Sequence, residues 1–218
     1  MKYVSGKENP AAWQSGLRDS LINVLKLGDL LRNRDKIEFK PVVLRTENKG
    51  AYILKQIEFN STPGRRVKVI VTIPAKKSGK FPAVVSIHGH GGLERTVYDT
   101  SNEYKGFARH LAERNYVTIA PFVSQHEVYE KDQLLMGERL FDCIRAVDFL
   151  QTLPQVDTSR IGAAGLSLGG EMVMWLAGMD TRIKAAVSAG FLTTMDNLEE
   201  GHCLCWKFPG LRDLADFT

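Results

Sequence analysis

A serine flanked by glycines, between two predicted elements of regular structure, constrains this chain most strongly. Residues 165–170 read Gly-Leu-Ser-Leu-Gly-Gly, after a predicted strand and before a predicted helix. In that context the G-x-S-x-G pattern places a serine on a tight strand-to-helix turn and predicts Ser167 as a nucleophile. The alternative is that small residues merely permit the turn, as in many nucleotide-binding sheets. A phosphate-binding turn is less favoured because neither G-x-G-x-x-G nor G-x-x-x-x-G-K-[ST] occurs here.

Hydrophobic periodicity on both sides of this turn predicts alternating strands and helices. Short apolar runs are typical of buried strands, and apolar residues spaced by three and four predict helices. Strands are predicted at 52–59, 66–73, 83–87, 116–120, 160–164 and 183–189, and helices near 104–111, 140–150 and 172–179. The first two strands flank a Pro-Gly turn and are predicted to pair antiparallel. The alternation predicts an α/β fold, with a mostly parallel sheet and helices on both faces.

The first 37 residues are predicted to form an N-terminal helical extension to the α/β domain at 38–218. From Pro10 onwards, apolar residues including Trp13, Leu17 and Leu21 recur mostly at helical spacing. Packing across the edge of the domain is the favoured interpretation, and a partner-binding helix is the alternative. The length of 218 residues fits one globular domain.

A second glycine-rich segment follows the strand at 83–87 and reads His-Gly-His-Gly-Gly at 88–92. Together with the turn at Ser167, it predicts an oxyanion hole formed by the backbone N–H groups of His90 and Leu168. The alternative is a glycine-rich loop without a catalytic role. His88 and His126 are candidates for lining the pocket, although a lone loop histidine such as His126 is more often solvated surface. Two histidines at this spacing are a poor zinc signature, so no metal is expected.

These segments resemble the α/β-hydrolase superfamily, and in particular its dienelactone-hydrolase and acetyl-xylan-esterase-like branch. The resemblance extends from Glu38 to the C-terminus through the segments 81–92, 142–150 and 156–162, the last two of which lead into Ser167. It implies a serine esterase that needs no cofactor and acts on acetylated sugars or other small esters. A prolyl-oligopeptidase-type peptidase, which shares the serine turn, remains an alternative.

The resemblance also implies a catalytic acid and then a histidine after Ser167. Only His202 follows the serine, and Asp180 or Asp196 would have to supply the acid without an intervening strand. We therefore expect the chain to lack the final strands, with the acid and base lying beyond residue 218. A non-catalytic hydrolase-like module, or an inactive fragment, is a further alternative. The strand at 183–189 would then leave an exposed sheet edge, which favours association into a homo-oligomer.

Composition limits the other classes of function. The net charge of +4 comes from 29 basic and 25 acidic residues that are not clustered, so neither nucleic acid nor a membrane surface is an expected partner. The first residues lack an apolar signal segment, which favours a cytoplasmic protein. Three cysteines are too few for a disulfide framework, and His202, Cys203 and Cys205 have no second cluster to complete a metal site.

Overall fold

The structure, a computed structural model, describes residues 9–76, 79–191 and 207. Its strands are β1 (Val42–Asn48), β2 (Tyr52–Asn60), β3 (Arg66–Pro74), β4 (Phe81–Ile87), β5 (Val117–Pro121), β6 (Val156–Leu166) and β7 (Ile183–Ala189). They form one mixed sheet in the order β1-β2-β3-β5-β4-β6-β7. The last four strands along the chain run parallel, whereas β1, β2 and β3 pair antiparallel and β3 joins β5 antiparallel.

Helices cover both faces of this sheet. They are α1 (Pro10–Val24), α2 (Gly28–Asn33), α3 (Phe107–Glu113), α4 (Leu135–Thr152) and α5 (Leu168–Met179), with short 3-10 helices at Arg34–Lys36 and Thr96–Tyr98. Successive residues of a strand point to opposite faces. Ile119 of β5 accordingly lies in the main core with side chains of α4 and α5, while its neighbour Ala120 clusters with Ala108 of α3.

The N-terminal helices pack against the main core. Asn9 caps α1 by accepting hydrogen bonds from the N–H groups of residues 11 and 12, and Pro10 occupies the first helical position. Leu21, Leu25 and Leu27 are buried in the same cluster as the α4 and α5 side chains. A β-carbon on Gly137 of α4 would collide with the Leu25 carbonyl oxygen, so glycine is needed where the two segments meet.

The predicted elements agree with the structure to within a few residues at their ends. The antiparallel pair at 52–59 and 66–73 is confirmed as β2 and β3, and the strand-turn-helix at Ser167 is confirmed as β6 and α5. The sequence reasoning missed β1, an exposed edge strand, and α2, a short helix with no buried residue. Within the described residues, β7 forms the opposite edge of the sheet, and Val187 is 61% exposed.

In the part of the chain that the structure describes, no helix combines the length and the apolar character needed to cross a bilayer.

Candidate active site

Ser167 occupies the turn between β6 and α5 in a backbone conformation that few residues other than glycine adopt. Its φ is 59° and its ψ is −126°, outside the regions preferred by L-residues. The Ser167 N–H donates to the Ala189 carbonyl at 2.8 Å, and its carbonyl accepts from the Glu171 N–H at 3.0 Å. The side chain is exposed. This turn therefore presents a hydroxyl group to solvent at the carboxyl end of a buried parallel strand.

Glycines are required around Ser167 because neighbouring backbone segments approach it closely. A β-carbon on Gly89 would lie 3.2 Å from Ser167 Cβ, 2.9 Å from the Leu166 carbonyl oxygen and 2.6 Å from Tyr104 Oη. On the other side, a β-carbon on Gly169 would collide with the Ile87 carbonyl oxygen. The loop after β4 and the start of α5 are thus brought into contact with the serine turn.

The backbone N–H groups without an acceptor among residues 9–76, 79–191 and 207 include two at this junction that the sequence predicts as oxyanion donors. They belong to His90 in the loop after β4 and to Leu168, the first residue of α5. The first N–H groups of an α-helix have no intrahelical partner, and the positive end of the helix dipole lies there. Both N–H groups lie in segments at the end of the sheet that carries Ser167, and their role as oxyanion donors stays a prediction.

The structure buries His88 completely. Its Nε2 accepts from the Val123 N–H at 3.1 Å, so Nδ1 carries the proton and donates to the Gly89 carbonyl oxygen at 2.8 Å. Burial lowers the pKa of the imidazole below its ordinary value, more than the Gly89 hydrogen bond raises it. His88 is thus a neutral side chain that joins the loops after β4 and β5, rather than one open to a ligand.

His90, in the loop after β4, and His126, in the loop after β5, are both exposed and lie against each other. Their Nε2 atoms are 2.7 Å apart, and the ring centroids are 4.9 Å apart in an edge-to-face arrangement. At this distance one Nε2 donates a hydrogen bond to the other. The sequence proposed both residues for the site, and the structure brings them together from loops 36 residues apart.

Buried polar side chains of α4 hold the loop that carries His126. Glu138 accepts hydrogen bonds from the N–H groups of Tyr129 and Glu130 at 2.9 and 2.6 Å. Arg139 Nη2 donates to the Gln125 carbonyl oxygen at 2.5 Å. Both α4 side chains are fully buried, and such groups are costly to bury without partners. The position of His126 therefore depends on the packing of α4.

Comparison with known proteins identifies the family to which this sequence belongs. The sequence profile of the dienelactone hydrolase family matches residues 67–197, which include the whole serine turn and the loop after β4. The chain belongs to the dienelactone hydrolase family. Among solved structures, an acetyl xylan esterase from Paenibacillus sp. R4 is similar with a TM-score of 0.66, at 20% identity over 86% of this chain and 67% of that one. This likeness shows the α/β-hydrolase fold.

Curated relatives of this dienelactone hydrolase family member share part of their length with it. YtaP of Bacillus subtilis, which carries the name of a hydrolase, is 27% identical over 181 residues, covering 74% of this chain and 59% of that protein. Dipeptidyl-peptidase 5 of Porphyromonas gingivalis is 33% identical over 139 residues, covering 59% of this chain and 20% of the peptidase. The chain therefore spans less than two thirds of either relative.

Glu171, one helical turn after Ser167, is a buried polar residue near the serine turn that the sequence did not predict. Its side chain is fully buried, Oε1 accepts from Trp175 Nε1 at 3.1 Å, and Oε2 has no hydrogen-bond partner among the described residues. Burial raises its pKa to about 8, against smaller opposing effects of Trp175 and Arg139. A charged residue type inside an otherwise apolar helix was the available signal.

Tyr104 was predicted only as an apolar helix position, and it has a further contact in the structure. Its hydroxyl accepts from the Gly89 N–H at 2.5 Å, so it fixes the loop that carries the His90 N–H. With Phe107, Leu166 and Val187 it also lines an apolar groove of about 670 Å³ beside the serine turn.

The residues considered for the general base and for a metal fall mostly outside the described structure. His202, Asp196, Cys203 and Cys205 lie outside the described residues. Ser167 Oγ makes no hydrogen bond with any described side chain. No group of three or more His, Cys, Asp or Glu side chains with metal-binding geometry occurs within the described ranges.

Proposed function

We propose that this protein is a carboxylic-ester hydrolase in which Ser167 is the nucleophile. The observation that carries the proposal is the strained, exposed Ser167 beside two free backbone donors, the N–H groups of His90 and Leu168. Nucleophilic serines of α/β-hydrolases occupy such a strand-to-helix turn, with donors from the helix start and from the loop after an earlier strand.

In the proposed reaction, Ser167 Oγ attacks the carbonyl carbon of the ester and gives its proton to a general base. The tetrahedral intermediate carries a negative charge on the former carbonyl oxygen, which accepts hydrogen bonds from His90 N–H and Leu168 N–H. Collapse of the intermediate expels the alcohol, which takes the proton back, and leaves an acyl group on Ser167. Water then attacks the acyl group in the same manner and releases the carboxylic acid.

The general base of this scheme is assigned to a histidine outside the described residues. The histidines of the loops after β4 and β5 are otherwise engaged: His88 is buried with both nitrogens bonded, and His90 pairs with His126. An acidic residue that orients the base would complete the triad. In this proposal Ser167, His90 and Leu168 supply the nucleophile and the donors, while proton transfer depends on residues outside the described ranges.

We propose acetyl or other short acyl esters as the substrate class. The Paenibacillus structure is that of an acetyl xylan esterase, and apolar side chains line the groove beside the serine turn. Dipeptidyl-peptidase 5 supports a second candidate, cleavage of a peptide bond by the same serine. The two reactions share the acyl-enzyme and differ in the leaving group, an alcohol or an amine.

The test uses the protein expressed from its full natural reading frame and, separately, residues 1–218. Each is assayed with an acetyl ester and with a proline-containing peptide, as the wild type, as Ser167→Ala and as Ser159→Ala. Ser159 lies on β6 away from the serine turn and is a matched serine control. Ester turnover by the full-length protein that is lost only in Ser167→Ala supports the proposal. Faster cleavage of the peptide supports the peptidase, and no Ser167-dependent turnover supports a non-catalytic module.

A further inference from the structure

A second cavity lies away from the serine turn, between the first three strands and α3. It has a volume of about 450 Å³. Its walls are side chains of β1, β2, β3 and α3, together with Glu94, Arg95 and Tyr98 from the segment after β4. Pockets of roughly 300–1,000 Å³ commonly bind small molecules. None of its described lining residues belongs to the serine turn at 165–170. It is therefore separate from the proposed ester site, although helix α3 borders both this cavity and the groove beside the serine turn.

The floor of this cavity is apolar. Tyr52, Leu54 and Ile70 are each at most 8% exposed and form a small cluster with Ala112 of α3, separate from the main core. These side chains pack against one another, so only a part of each one faces the cavity. A flat apolar ring face would find van der Waals contact there.

The walls carry more positive than negative side chains. The lining residues comprise four cationic side chains, Arg45, Lys49, Arg95 and Arg109, and three carboxylates, Glu47, Glu94 and Glu113. Three of the cations are already paired within the wall. Glu47 contacts Arg45 at 2.9 Å and Lys49 at 2.7 Å, and Glu113 contacts Arg109 at 2.8 Å.

Two adjacent side chains retain hydrogen-bonding capacity. Arg95 is exposed and has no ion pair or side-chain hydrogen bond within the described residues. Glu94 is 5% exposed and accepts one hydrogen bond, from Gln56 Nε2 at 2.9 Å. A carboxylate has about four acceptor positions, and a guanidinium has five donors in a planar fork. The cavity thus offers a free donor fork beside a nearly buried acceptor.

We propose that this cavity binds a ring-bearing hydroxy acid, such as a uronic acid. The carboxylate of the ligand pairs with Arg95, whose planar guanidinium matches a carboxylate with two parallel hydrogen bonds. A ring hydroxyl donates to Glu94, and the apolar ring face packs on Tyr52 and Ile70. A ligand with one negative charge also neutralises the excess of one positive charge in the walls. The binding does not require Ser167 chemistry.

Glucuronate is the probe, with glucose as the neutral ring of the same size, each titrated into the chain at constant ionic strength by isothermal calorimetry. The variants are Arg95→Ala, Glu94→Gln and Arg32→Ala, the last being a highly exposed arginine of α2 that does not line the cavity. Thermal melts of all variants verify folding, and Arg95 is exposed, so its loss leaves the core intact.

Saturable glucuronate binding is expected, with glucose at least about tenfold weaker, because the charge-assisted contact is missing. Arg95→Ala is expected to weaken glucuronate binding at least about tenfold, and Arg32→Ala by less than about twofold. Glu94→Gln tests the hydroxyl contact with glucose, whose binding should weaken because the neutral sugar gains nothing from the more positive walls. Absence of saturable binding, equal affinity for glucose, or full affinity in Arg95→Ala would each overturn the inference. None of these results depends on ester turnover.

Discussion

A β-carbon on Gly89 would stand 3.2 Å from Ser167 Cβ, so the loop after β4 touches the serine turn directly. Gly89→Ala would also bring that carbon within 2.6 Å of Tyr104 Oη. We expect Gly89→Ala to lower the free energy of unfolding by roughly 1–3 kcal/mol through overpacking, and to displace the His90 N–H from the oxyanion position. Chemical denaturation measures the first effect and ester turnover the second.

Gly178→Ala is the matched control for this prediction. Gly178 lies in α5, and a β-carbon added there would have no atom within 4 Å among the described residues outside its own helical turn. Alanine there should raise the free energy of unfolding by about 0.5–1 kcal/mol, since alanine is the better helix former. If Gly89→Ala were as stable and as active as Gly178→Ala, the prediction that stability and turnover need glycine at position 89 would be wrong.

The backbone conformation of Ser167 predicts opposite effects of its substitution on stability and activity. Its φ of 59° and ψ of −126° are strained for serine or alanine and accessible to glycine. Ser167→Gly should therefore be more stable than Ser167→Ala by about 1 kcal/mol, while both lose ester turnover. Thermal and denaturant unfolding of the two variants measure the difference. Equal stability of the pair would show that the turn is unstrained.

Glu171 predicts a loss of stability as the pH rises. Its folded-state pKa of about 8 lies above its ordinary value of 4.5, so between these values the folded state binds more protons than the unfolded state. The free energy of unfolding should thus decrease as the pH rises through this window, by on the order of a few kcal/mol. Glu171→Gln should remove this decrease. The exposed Glu103→Gln variant is the control, and the same pH slope in both variants would contradict the assignment.

Substitution of the buried His88 is expected to lower the free energy of unfolding. His88→Phe fits a buried aromatic ring but leaves the Val123 N–H without its partner. The Gly89 carbonyl oxygen loses His88 Nδ1 and keeps the Gly92 N–H and Ser124 Oγ as donors. The expected destabilisation is roughly 1–3 kcal/mol, the cost of leaving the buried Val123 N–H unsatisfied. His110→Phe, at an exposed histidine of α3, should change stability by less than about 0.5 kcal/mol. Equal effects of the two substitutions in urea unfolding would refute a joining role for His88.

The sequence predicted those strands whose burial leaves a periodic pattern. Val67, Val69 and Val71 point into the core as β3 and alternate with more polar residues except at Ile70. β1 was not predicted because its apolar residues Val42, Val43 and Leu44 are consecutive and exposed on an edge strand. The pairing register also shifts there, between Val43 and Arg45. Alternation requires one buried face, and an exposed strand with a bulge has none.

The site was foreseeable where function constrains the backbone and less so where it depends on buried polar side chains. The turn at Ser167 and the loop at Gly89 are marked by glycines that the chain geometry requires. The buried Glu138 and Arg139 of α4 look like surface positions in a sequence, because a polar residue shows no partner until the fold supplies one. The same reason concealed the pairing of His90 with His126 across 36 residues.

The nucleophilic role of Ser167 is tested most directly by covalent labelling. The full-length protein is treated with a fluorophosphonate, digested with trypsin and analysed by mass spectrometry. The peptide from Ile161 to Arg182 contains Ser167 as its single serine. We predict one adduct on this peptide at Ser167, and no adduct in Ser167→Ala. Labelling at another residue, or undiminished labelling of Ser167→Ala, would contradict the assignment.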